Sequence, residues 1–120
     1  MLATVGQFEA RLGVPTGSLE GEDLARATAV LEDASAVVQR TGLDTWTDET
    51  VPEVARVVTL RLARRMWENP EGLSYEAIGD HTVSRADAYA LLTEEERALV
   101  QDAAGFTQSV YSVRTPGVWS

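Results

Sequence analysis

Residues 54–80 read VARVVTLRLARRMWENPEGLSYEAIGD, and the fold follows from how this stretch is divided. Its first part is a helix whose apolar residues fall on two sides: Ala55, Val58, Leu62 and Met66 on one, Leu60, Ala63 and Trp67 on the other. A helix of that kind is central in its fold or faces a partner. Here the expectation is a central helix surrounded by copies of the same chain. Pro70 has no N–H to donate and disfavours the α conformation at Asn69, so the helix ends there. The Gly-bearing loop that follows holds Glu76, Ile78, Gly79 and Asp80, which read as contact residues.

Upstream, Thr50 and Glu53 have capping-box spacing and Pro52 falls in the first turn, so the central helix is expected over Val51–Glu68. Thr4 with Gln7 predicts a short first helix carrying Val5, Phe8 and Leu12, stopped by Gly13 and Pro15. Glu22 and Asp23 suit a helix N-terminus, and Leu24, Ala27, Leu31, Ala34 and Val38 recur at 3,4,3,4 spacing up to Gly42. Thr93 with Glu96 opens a last helix through Leu99, Val100 and Ala103 to Gly105. Residues 80–92 are read as an extended connection, although Ala86 to Leu92 also suit a helix. The expected fold class is therefore all-α: a small bundle of about four helices over residues 1–105, with an extended C-terminal arm over 106–120. Fully stretched, those fifteen residues reach roughly 50 Å at about 3.3 Å per residue.

One domain of 120 residues buries roughly two-thirds of the surface its unfolded chain exposes. No apolar run approaches the roughly 20 residues that cross a bilayer, and no signal or transit peptide is legible, so synthesis in the cytoplasm without a membrane partner is expected. The chain has no cysteine, which excludes disulfides and thiolate metal sites. Net charge is −9 and every basic residue is arginine, with four arginines and no acid within residues 54–65. So acidic a protein repels a phosphate backbone over most of its surface.

Arg61, Arg64 and Arg65 share one helical face and are expected to form ion pairs with acids of neighbouring helices or subunits. The alternative use for these three is a small helical regulator gripping nucleic acid. Asp80, His81 and Ser84 do not make a triad, because adjacent residues of an extended segment point to opposite sides. Asp44, Asp48 and Glu49 lack the ligand alternation and central glycine of a calcium loop. Neither enzymatic activity, nor a cofactor, nor a metal is expected. Trp119, at the end of an arm unable to bury it locally, reads as a docking residue.

Taken in order, Val51-Pro52, Arg64-Arg65, Asn69-Pro70-Glu71-Gly72, Glu76-Ala77-Ile78-Gly79-Asp80, Leu92-Thr93 and Glu96 form a pattern over about two-thirds of the chain. In this pattern the chain resembles the head-to-tail connector, or adaptor, proteins of long-tailed bacteriophages. His81 departs from it, since an aromatic is expected there. The resemblance implies an all-helical subunit of a ring, typically dodecameric, in the neck of the virion. Such a ring joins the portal protein to the stopper or head-completion protein and extends the channel through which double-stranded DNA passes without sequence-specific binding. It also implies that the C-terminal segment reaches the portal or a neighbouring subunit, here through Phe106, Val110, Tyr111, Val113, Arg114 and Trp119. Loop residues Glu76, Ile78, Gly79 and Asp80 would then line the channel or meet the stopper.

Overall fold

The computed structural model describes residues 1–68 and 90–105, and these form an all-α bundle of four helices with no strand among the described residues. Helix α1 spans Val5–Leu12, α2 Gly21–Thr41, α3 Glu53–Glu68 and α4 Glu94–Ala103. None of them is long and apolar enough to cross a membrane. The arm over 106–120 and the loop residues Glu76, Ile78, Gly79 and Asp80 lie outside the described residues.

Local chemistry sets α1 and α4. At α1 the Thr4 hydroxyl accepts the Gln7 N–H at 3.1 Å while the Gln7 side chain accepts the Thr4 N–H at 2.9 Å. Two orphan donors of the helix start are thereby satisfied. Gly13 then takes a left-handed φ of 80°, which a residue with a Cβ adopts reluctantly, and closes the helix. The same reciprocal pair, Thr93 with Glu96, opens α4, and Gly105 at φ 85° follows its end.

The third capping-box signature is not used. The Thr50 hydroxyl accepts the Thr47 N–H at 2.8 Å and sits 3.2 Å from the Thr47 hydroxyl, so it closes the preceding turn rather than the helix. Helix α3 accordingly begins at Glu53, later than the predicted Val51, with the Pro52 carbonyl accepting its first bond from Arg56 N–H. Residues 80–92 also differ from expectation where they are described, since Ala90 and Leu91 are helical rather than extended.

Packing explains the rest. In α2 the buried residues are Ala27, Val30, Leu31, Ala34, Ser35, Val37, Val38 and Thr41, a wider stripe than the spacing predicts because α2 meets α1, α3 and α4 together. Leu24, expected on that stripe, is exposed; burial along α2 starts one turn later at Ala27. Helix α3 buries Ala55, Val58, Thr59, Leu60, Leu62, Ala63 and Met66 against α1, α2 and α4. Both of its apolar sides are thus covered within a single chain. Among the described residues, helices of the same chain cover the apolar sides of α3, where the sequence leads one to expect copies of the chain.

One buried carboxylate positions the α1–α2 connection. Glu9 accepts the N–H groups of Gly17 at 2.9 Å and Leu19 at 3.0 Å. These bonds, led by that from Gly17, hold its pKa below the usual glutamate range despite the opposing effect of burial. A group whose folded pKa is depressed stabilises the fold above its unfolded pKa, and that stability fades as pH falls through the folded value. Glu9→Gln is therefore expected to lower the urea midpoint at neutral pH, with the gap from the parent narrowing on acidification. Urea titrations of both proteins across the acid range check this, and a gap independent of pH would count against it.

Candidate functional site

Helices α1 and α3 finish, and α2 and α4 begin, at the same end of the bundle, and arginines tie this end together. Arg65, in the last turn of α3, sends Nη1 to Glu96 Oε2 at 2.8 Å and Nη2 to Glu96 Oε1 at 2.7 Å. Its planar fork matches the carboxylate, as a point charge would not. Nη2 also donates to the Leu91 carbonyl at 3.2 Å. Glu96 Oε1 meanwhile accepts the Thr93 N–H, so one buried carboxylate both caps α4 and anchors it to α3. Burial is the largest single influence on Glu96 and raises its pKa. The bonds from Arg65 and Thr93, with the charges of Arg65 and Arg61, together outweigh it and hold the pKa low.

Arg64 behaves differently from its neighbour. Its Nε faces Glu68 at 3.2 Å on its own helix, and Nη1 donates to the Arg11 carbonyl at 2.9 Å in the last turn of α1. Arg26 of α2 stacks on Trp67, its guanidinium carbon 4.2 Å from the ring centroid, and donates Nη2 to the Trp67 carbonyl near the end of α3. Trp67 also meets Phe8 edge-on, with centroids 5.5 Å apart at 74°. Further along, Arg97 donates to the Leu92 carbonyl at 3.0 Å and Arg56 to the Asp48 carbonyl at 2.7 Å.

Apart from Arg56, whose acceptor Asp48 lies in the turn before α3, the contacts to carbonyls share a logic. The last carbonyls of a helix have no partner within it, and a guanidinium with several donors satisfies them while opposing the negative end of the helix dipole. Arginine rather than lysine suits this because one fork can serve a carboxylate and a carbonyl together.

Of the three arginines singled out in the sequence, the structure brings Arg65 to a neighbouring helix, engages Arg64 with α1 and with its own helix, and leaves Arg61 exposed without an ion pair or hydrogen bond among the described residues. Two of the three guanidiniums a nucleic-acid patch would need are therefore already occupied. Sequence reasoning missed Arg26 and Glu9, whose partners are backbone groups. The signal for Arg26 was slight: an arginine one residue before the first buried alanine of α2. Comparison of the chain with protein-family models, with curated proteins and with solved structures finds no match.

Proposed function

We propose that this chain is a structural neck protein of a long-tailed bacteriophage, a non-catalytic adaptor whose copies form a ring between the portal and the stopper. The observation that carries the reading is the ordered sequence pattern. Three of its residues, Arg65, Thr93 and Glu96, meet in one hydrogen-bonded lock between α3 and α4. Residues scattered over some thirty positions of a pattern have a common physical purpose if they hold the subunit in shape.

A ring of this kind is heterologous, so each subunit presents two different adhesive faces. Because the apolar sides of α3 are covered within the chain, they do not supply those faces, and the segment 106–120 is assigned the portal contact. The acidity of the protein suits a channel wall, because a duplex finds few cations there to hold its phosphates.

The purified chain mixed with portal rings is expected to give a complex of larger mass by light scattering. Truncation after Gly105 should abolish that complex while leaving the helical circular-dichroism spectrum of the bundle. In infected cells the truncation should stop head–tail joining and leave packaged heads intact. Absence of portal binding by the full chain, or undiminished binding after truncation, would overturn the assignment.

A further inference from the structure

Two segments leave the bundle, and they leave it from opposite ends. Glu68 closes α3, and the chain is back at the same place by Leu91, whose carbonyl accepts Nη2 of Arg65 at 3.2 Å. Residues 69–89 therefore start and finish at the end where Arg65 forks onto Glu96. Helix α4 then runs back along α3. Val100 comes so close to Gly42, the residue that stops α2, that a Cβ on Gly42 would stand 3.0 Å from its Cγ1. Gly105, little more than a turn further on, thus hands the chain to residues 106–120 beside the turn that links α2 to α3. The 16 residues of α3 set the two ends about 24 Å apart, at about 1.5 Å per residue.

The turn between α2 and α3 is exposed and yet firmly held. Trp46 is buried in the core, and its carbonyl accepts a hydrogen bond from the Gln39 side chain at 2.7 Å. The Asp48 carbonyl accepts Arg56 Nη2 at 2.7 Å, and the Thr50 hydroxyl accepts the Thr47 N–H at 2.8 Å. Thr45, Asp48, Glu49 and Thr50 remain exposed. A surface fixed before contact loses little conformational freedom when a partner covers it.

We infer that the turn over residues 43–52 is a second portal-binding surface, set beside the root of segment 106–120, and that the opposite end of the bundle points away from the portal. This rests on the adaptor reading, which gives the portal contact to 106–120. The place where the described chain ends selects the occupant: a segment that starts beside this turn and grips the portal draws the same end of the bundle toward it. Tethering keeps the turn at a high effective concentration against the portal, so modest polar contacts suffice there. Its exposed side chains are hydroxyls and carboxylates, so the portal face that meets it supplies hydrogen-bond donors. A segment of fifteen residues that doubled back along the bundle would reverse the orientation, and the experiment tells the two apart.

The chain has no cysteine, so a single introduced one takes a single label. Thr45→Cys marks the turn, and Ala10→Cys, in the last turn of α1, marks the other end; both positions are exposed. Each full-length variant carries a benzophenone photocrosslinker whose reach is shorter than α3, and is irradiated in the presence of portal rings. Thr45→Cys is expected to give a covalent adduct with the portal subunit on a denaturing gel, and Ala10→Cys to lose it. Circular dichroism and light scattering check that each labelled variant is folded and forms the complex. A label at Thr45 that blocks the complex, when one at Ala10 does not, reports the same contact. An adduct from Ala10→Cys as abundant as that from Thr45→Cys, or none from Thr45→Cys within a formed complex, would overturn the orientation while the adaptor reading stands. Full chain that never binds portal rings removes both.

Discussion

Arg65→Ala is expected to cost the fold about 3 kcal/mol, several times what an exposed ion pair contributes. The asymmetry of the pair sets this size. The Glu96 side chain is 4% exposed and cannot recover its lost bonds from water, whereas Arg65 at 37% remains partly solvated. Removing the guanidinium leaves a buried carboxylate with the Thr93 N–H as its remaining bond from the lock, and deprives the Leu91 carbonyl of its donor. The partial exposure of Arg65 puts the effect near the low end of the roughly 3–5 kcal/mol seen when buried pairs are broken. Arg65→Lys keeps the charge but not the fork, so it should recover only part of the loss. Glu96→Gln should cost less than Arg65→Ala, because its amide oxygen can still accept the Thr93 N–H while no buried charge is stranded. The pH dependence has a definite sign. With a folded pKa below the usual range, Glu96 stabilises the protein above the ordinary glutamate range, and that share is lost as pH falls through the folded value. The difference between parent and Arg65→Ala should therefore shrink in acid. Urea unfolding at unchanged m-value measures it, and a loss below about 1 kcal/mol at neutral pH would mean that solvent screens the pair.

How far the sequence revealed this depended on how local each interaction is. The Thr4–Gln7 and Thr93–Glu96 boxes were legible because both partners lie within one helical turn. Thr50–Glu53 has the same signature and failed, since Thr47 competes for the Thr50 hydroxyl within an equally short span. The two apolar sides of α3 could be counted from residue spacing, but whether a helix or another subunit covered them depended on neighbours distant in sequence. The arginines were recognisable as carriers of ion pairs. Their carbonyl partners were not, because any residue supplies a carbonyl and spacing cannot say which helix end will face which guanidinium. Arg64 reaching across to Arg11, 53 positions away, is an example. Of the candidate contact residues, the arm and the loop around Gly79 lie outside the described residues, so only the arginine cluster has a structural account.

Gly42→Ala should destabilise the protein by about 2 kcal/mol, although by spacing alone the residue is simply a helix stop. A glycine-to-alanine change at a permissive position usually stabilises by about 0.4–1 kcal/mol, since it narrows the unfolded ensemble. Gly42, at φ −104° and ψ −107°, lies outside the left-handed region but is neither helical nor extended, so it is not one of these permissive positions. Space decides the size of the effect. A Cβ here would stand 2.4 and 2.5 Å from two ring carbons of Trp46 and 3.0 Å from Val100 Cγ1. Trp46 is 6% exposed and its carbonyl is tied to the Gln39 side chain at 2.7 Å, while Val100 is wholly buried on α4. Neither neighbour can yield without opening the contact between α4 and the end of α2. Glycine suits this position because two ring carbons of Trp46 occupy the space a Cβ would take. Trp46→Leu provides the internal check. It opens a cavity in the parent but relieves the clash in Gly42→Ala, so the double variant should lose less stability than the sum of the two singles, by about 1 kcal/mol or more. Thermal or urea unfolding of the four proteins closes the cycle. Strict additivity, or a Gly42→Ala protein as stable as its parent, would show that the ring does not press on the end of α2.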